Sequence, residues 1–328
     1  MKARRYVFIL ISLFLVVYLV LFALYYLVNP EQKYEFSMTN KKFSYTKDFS
    51  KSQFNKLKRN DYVLIFGTSQ SHMISSKMMG ANTLNFHNLY GQPGNILNFF
   101  KQLDKEQIKH IKQIIYLIDL RAGISNADRN FIDYSKTNGI NFKITKTSMH
   151  NLFSDIKKNL SQNYKSYLKD DGSVYYINPE AHIGSINNYG SSSKARLRYS
   201  DELISGIVNI DVFSKKNNIN VKYITPVVND KYFRTIDLDN LSVFYSKLLK
   251  KNIQNLNLFY FIDGYSNLKN TDNDYIAFVE KDHLNQKFVE KWLYSYILKK
   301  NEFTINNEDE LKTYFNTMKK IQENQLLL

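Results

Sequence analysis

Apolar and polar positions along this chain follow three different patterns. Residues 6–28 form one apolar and aromatic run relieved only by Ser12. At about 1.5 Å per residue, such a helix is long enough for a hydrocarbon core of roughly 30 Å. Further on, five short apolar runs occur at residues 62–66, 83–86, 113–120, 220–225 and 258–262. All are short apolar runs of the kind found in a sheet covered on both faces. Helical periodicity marks residues 95–107, 200–216, 240–254 and 286–299 between or after these runs. Strand and helix alternation of this kind predicts an α/β domain with a five-stranded parallel sheet and right-handed crossovers.

The remaining segments complete the organisation. Lys2, Arg4 and Arg5 precede the first apolar run, so residues 1–5 are expected to stay in the cytoplasm and everything after Asn29 to cross the membrane. A cleaved signal peptide would carry a shorter apolar region, about 7 to 15 residues, ending in a small-x-small site. Leu24-Tyr25-Tyr26-Leu27-Val28 has no such site, which makes 6–28 an uncleaved transmembrane signal anchor. Residues 29–60 are polar and Lys-rich and read as a stalk. The domain then spans 61–300, with an insertion at 123–194 whose Gly-, Ser- and Asn-rich stretch at 184–193 suggests a cap over the carboxyl edge of the sheet. Residues 301–328 hold a charged helical pattern expected to be peripheral.

Composition bounds how the exported part is held together and what its charge could meet, not its redox compartment. The 328 residues include no cysteine, so the exported part must be held by its core alone. The formal charge is +15, a field that favours an anionic surface, whether phospholipid headgroups, a teichoic-type polymer or an acidic polysaccharide. The abundance of Lys, Asn, Ile and Tyr throughout the chain is the competing explanation, because the charge is scattered rather than gathered in one stripe. No nucleic-acid motif appears. His72, His87, His110, His150 and His182 show no metal-ligand spacing, and no cofactor or metal is expected.

Two segments at opposite ends of the domain carry the candidate chemistry. Gly67-Thr68-Ser69-Gln70-Ser71 follows the first strand, which places Ser69 on a turn where a hydroxyl can face a crevice. A serine there serves either as a nucleophile or as a helix cap, and the segment alone does not decide. Glu280-Lys281-Asp282-His283-Leu284-Asn285 supplies an imidazole with carboxylates one and three residues before it. His283 is placed in a loop at a helix start, as a base for Ser69. Glu280 is the better orienting carboxylate and Asp282 the second, because residues three apart meet across a turn.

With these residues in view, the chain resembles the SGNH/GDSL hydrolase superfamily. The resemblance follows the order of elements over roughly residues 60–300 but rests in detail on three short segments. It implies a flavodoxin-like, three-layer SGNH-type domain. Ser69 matches the nucleophile, its amide matches the oxyanion hole, and His283 matches the general base; Glu280 stands where that family has Asp. The family's glycine amide after the second strand is matched best by Gly91, with Gly94 as the alternative, in Asn85-Phe86-His87-Asn88-Leu89-Tyr90-Gly91-Gln92-Pro93-Gly94. The family's Gly-x-Asn-Asp block has no counterpart, since Tyr116-Leu117-Ile118-Asp119-Leu120-Arg121 occupies its place. The chain is most similar to the single-anchor exported SGNH-like proteins of cell-envelope acylation, of the alginate O-acetylation and teichoic acid D-alanylation type. That likeness implies a serine O-acyltransferase or esterase on the outer face of the cytoplasmic membrane. It also implies an anionic envelope glycan as acceptor and a multispanning membrane-bound O-acyltransferase as partner. The missing block keeps open a second reading, a catalytically silent adaptor that binds an anionic polymer or such a membrane partner.

Overall fold

A computed structural model of the chain describes residues 2–30, 47–68, 71–87, 92–118, 132–134, 145–162, 164, 166–176, 201–225, 233, 236–258, 278–280, 283–284 and 304–326. Helix α1 (Lys2–Val28) contains the only stretch among them long and apolar enough to cross a membrane, Arg4–Val28, as a transmembrane anchor or a signal sequence would. Helix α2 (Lys47–Lys56) follows and leads into strand β1 (Tyr62–Phe66). Phe54 and Leu57, inside the segment expected as a stalk, are buried in the main core, where Phe54 stacks on Tyr134 at 4.4 Å.

Four of the five expected strands form close to their expected bounds; the fifth, expected at 258–262, is described only at Leu256–Leu258, residues 259–262 lying outside the described residues, and all five pair in parallel. They are β1, β2 (Thr83–Asn85), β3 (Ile111–Leu117), and, beyond the insertion, the segments Asn220–Thr225 and Leu256–Leu258. The helix expected at 95–107 is two helices, α4 (Pro93–Lys101) and α5 (Lys105–Lys109), after the single turn α3 (Ser76–Met79). Asp104 explains the break: its carboxylate accepts from the Gln107 amide while the Gln107 side chain accepts from the Asp104 amide, a reciprocal cap that starts a new helix. Within the insertion lie α6 (Lys146–Ser161) and an antiparallel hairpin, β4 (Ser166–Leu168) with β5 (Val174–Tyr176). Helix α7 (Asp201–Lys216), β6 (Asn220–Thr225), α8 (Leu238–Lys250) and β7 (Leu256–Leu258) then alternate. A second hairpin, β8 (Phe278–Glu280) with β9 (His283–Leu284), precedes β10 (Thr304–Ile305) and α9 (Glu308–Leu326).

The main sheet runs β10-β7-β6-β3-β1-β2. It therefore has six strands rather than the five expected. The addition is β10, two residues long and antiparallel to β7, too short to leave an apolar pattern. Alternation along the strands divides two buried faces. Leu64, Phe66, Ile114, Tyr116, Val221 and Tyr223 enter the main core, whereas Ile65, Ile115, Leu117 and Ile224, at the alternate positions, are buried outside it. Helices α4, α7, α8 and α9 pack against one another in sequence on the main core. At the α4–α7 crossing Gly206 is required, because a Cβ there would come within 2.3 Å of the Pro93 Cβ.

Helix α9, expected to be peripheral, places Leu311, Tyr314, Phe315 and Met318 in the main core. Four buried side chains at helical spacing form a face continuous with Tyr245 of α8, whose ring stacks on Phe315. Phe315→Ala should accordingly cost about 3–5 kcal/mol, measured as a shift in the unfolding midpoint of the detergent-solubilised full chain. A change below about 0.5 kcal/mol, the surface range, would mean that α9 is an appendage.

Candidate active site

The site begins at the carboxyl end of β1. Val63 to Phe66 are buried, and the chain then passes Gly67 and Thr68 and closes a turn in which the Ser71 amide donates to the Thr68 carbonyl at 2.9 Å. The Ser71 hydroxyl donates to the same carbonyl at 2.8 Å and is fully buried, so Ser71 braces the turn. Gly67 does not adopt the left-handed conformation; it is needed for space. A Cβ at Gly67 would meet the Ser71 Oγ at 2.7 Å and the Leu117 Cβ at 3.0 Å. The carboxyl ends of β1 and β3 thus close on each other through a position that only glycine fits.

This junction is also where the strand order reverses. The chain leaves β1 for β2 on one side, and β3, β6 and β7 follow on the other. In open parallel sheets the ligand crevice lies outside the carboxyl ends at such a point.

Asn85, at the end of β2, secures the exit of the turn. Its side-chain amide donates to the Ser71 carbonyl at 2.7 Å and the Ile74 carbonyl at 2.9 Å, and its Oδ1 accepts from the His87 amide at 3.1 Å. A fully buried amide with three such bonds is a brace whose truncation would strand two carbonyls. The insertion docks on the same edge. The Asn85 amide donates to the Asp171 carbonyl at 2.7 Å, the Val174 amide donates to the His72 carbonyl at 2.7 Å, and the Asp171 carboxylate accepts from the Ser76 amide. Gln53 and Lys56 of α2 both donate to the Asp170 carbonyl.

Beside the turn lie three rings: His72 stands 6.0 Å from His87 and 5.7 Å from Tyr176, centroid to centroid. His72 is buried, and the Nδ1 of His87 is sealed from solvent although the residue retains some exposure elsewhere. Burial pushes the His87 imidazole down to about 4, against a smaller opposing hydrogen bond with the Gly172 backbone. The ring is neutral at pH 7. Sequence reasoning missed Asn85 and His87 as site-building residues: both lie in the segment quoted for Gly91, but their roles depend on contacts with residues 71–74.

Of the residues singled out as catalytic, Ser69, Gly91 and Asp282 lie outside the described residues. Ser69 sits in the sequence between the two described ends of the turn, Thr68 and Ser71. Glu280 and His283 are brought together by the backbone, as directly opposed partners in the β8–β9 register. Positions paired in this way lie about 4.5–5.5 Å apart at Cα. His283 is therefore on a strand rather than in the expected loop, with the two-residue connection 281–282 between it and Glu280. Among the described residues no cluster of His, Asp or Glu could hold a metal ion. No family model matches the chain, and no curated protein or solved structure shows significant similarity to it.

The His87 environment has a measurable consequence. The folded-state value lies below the ordinary 6.5, so the unfolded chain binds the extra proton first and stability falls as pH drops from 6.5 to about 4. The loss from this ring is at most about 3–4 kcal/mol, from about 1.36 kcal/mol per pH unit of displacement. His87→Gln should flatten that part of the stability–pH profile in thermal unfolding of the full chain. An unchanged slope between pH 6.5 and 4 would place the ring in contact with solvent.

Proposed function

We propose that the chain is a membrane-anchored, extracytoplasmic SGNH-like serine O-acyltransferase or esterase acting on a cell-envelope polysaccharide. Its domain is of the flavodoxin-like, three-layer SGNH type, anchored by a single pass in the cytoplasmic membrane. The observation that supports this reading most is the position of the 68–71 turn: it leaves the carboxyl end of β1 at the reversal point of the sheet, where Gly67 packs against Leu117. The cross-strand pairing of Glu280 with His283 adds a base and a carboxylate at neighbouring backbone positions.

In this mechanism the Ser69 oxygen attacks the acyl carbonyl as His283 takes its proton. The amides of Ser69 and Gly91 hold the oxyanion, and Glu280 stabilises the imidazolium that forms. Collapse expels the leaving group, which receives the proton from His283, and leaves an acyl-serine. A sugar hydroxyl or water then gives its proton to His283 and attacks the acyl carbon, and His283 returns that proton to the Ser69 oxygen as the acyl–serine bond breaks. Transfer and hydrolysis differ only in that acceptor. A membrane-bound O-acyltransferase is the partner that would present acyl groups, and an anionic glycan is the acceptor suited to the basic surface.

The test is turnover of an aryl acetate by the purified full chain, together with the acyl content of the envelope polysaccharide in producing cells. Ser69→Ala and His283→Ala should each lower both by about 10³-fold or more at unchanged protein abundance. Glu280→Gln should cost more than Asp282→Asn, because it removes the charge opposite His283 in the hairpin. Full activity in Ser69→Ala would rule out the acyl-serine and leave the silent adaptor as the better account. A larger loss in Asp282→Asn would reassign the orienting carboxylate.

A further inference from the structure

Helix α6 differs from the other helices in what it packs on. Its buried Leu152, flanked by Met149 and Ile156, contacts not the main core but α1, through Tyr18, Leu21, Phe22, Tyr25 and Val28. These five positions recur at three- and four-residue spacing and form one stripe down the last third of α1. Around the side of α6, Phe153 is 55 % exposed and Leu160 is 80 % exposed. Lys157 lies four residues after the first and three before the second, so the three share a face.

The depth of this contact follows from the length of α1. Counted from Arg5, a hydrocarbon core of roughly 30 Å ends after about 20 residues, close to Tyr25. Tyr18 lies about 10 Å inside that boundary by the same rise. A helix packed along positions 18 to 28 is thus held at the level where headgroups meet acyl chains. Earlier in α1, Leu13, Leu15, Val16 and Leu19 are all exposed.

We infer that α6 is an interfacial helix, seated in the bilayer surface beside the anchor with Phe153 and Leu160 in the acyl region and Lys157 at the phosphate level. A lysine set between apolar side chains suits this position, because its stem covers apolar surface while its ammonium reaches up to anionic headgroups. The consequence reaches the candidate site. Four residues after α6, β4 begins the hairpin that hydrogen-bonds to the end of β2 and to His72. The α1–α6 contact therefore holds the carboxyl edge of the sheet close to the membrane. This inference rests on α1 being an anchor, not on the acyl chemistry proposed for the site.

The absence of cysteine makes the test direct. Single cysteines at Phe153, Leu160, Leu15 and Val243 of α8, which is 55 % exposed, would carry an environment-sensitive fluorophore. The full chain would sit, one copy per disc, in nanodiscs of mixed phosphatidylethanolamine and phosphatidylglycerol. Spin-labelled lipid should quench the probes at 153, 160 and 15 several-fold more than the probe at 243, and aqueous iodide should show the reverse order. Quenching at 15 but not at 153 and 160 would overturn the interfacial helix while leaving the anchor intact. Protection of 153 and 160 from both quenchers would also overturn it, because protein would then cover that face. Lys157→Glu should lower the lipid quenching at 153 in these anionic discs, an effect that a purely structural α6 would not show.

Discussion

Strand β1 is enclosed on four sides, and the rest of the domain is arranged around that constraint. It pairs with β2 on one edge and β3 on the other, and its two faces carry Leu64 and Phe66 into one core and Ile65 into the other. A backbone so enclosed has every amide and carbonyl committed to the ladder, and its polar groups become free to act only where the strand ends. Gly67 marks that end. The absence of a Cβ lets Ser71 and Leu117 close over it, so the turn emerges against β3 rather than drifting into solvent. Asn85 then ties the outgoing chain to β2. The turn is thus built from both neighbours of β1, and its geometry is inherited from the sheet.

What the insertion contributes follows from the same arrangement. Asp170 and Asp171 accept hydrogen bonds from α2, α3 and β2, so the β4–β5 hairpin clamps the edge of the sheet where the turn emerges. Helix α6, earlier in the same insertion, is attached to α1. A single stretch of chain therefore connects α1 to the candidate site through packed elements.

Legibility in the sequence tracked how local the cause was. Strands β1 and β3 were legible because strands buried on both faces are rich in apolar residues, whereas Leu256–Leu258 lay upstream of the run at 258–262 from which a fifth strand was expected. Strand β10 was not legible, since two residues paired at an edge need no pattern. Residues 105–109 looked continuous with α4 because apolar periodicity carries across Asp104, while the break depends on one capping box. The apolar face of α9 was masked by its many charges, and that of α6 lacked a visible partner until α1 was seen beside it. Glu280 and His283 were singled out from their spacing in a polar stretch, which hid the hairpin that pairs them. Asn85 was quoted only as part of a glycine-containing segment; the three bonds that make it a brace join residues up to 14 positions apart.

The proposed mechanism turns on the activation of Ser69 by His283. Reaction of the purified full chain with a fluorophosphonate, followed by mass spectrometry of its peptides, tests this directly. The account predicts one phosphonyl adduct, on Ser69, formed at neutral pH and lost in His283→Ala. An adduct on another serine, or labelling of Ser69 that is indifferent to His283, would contradict it.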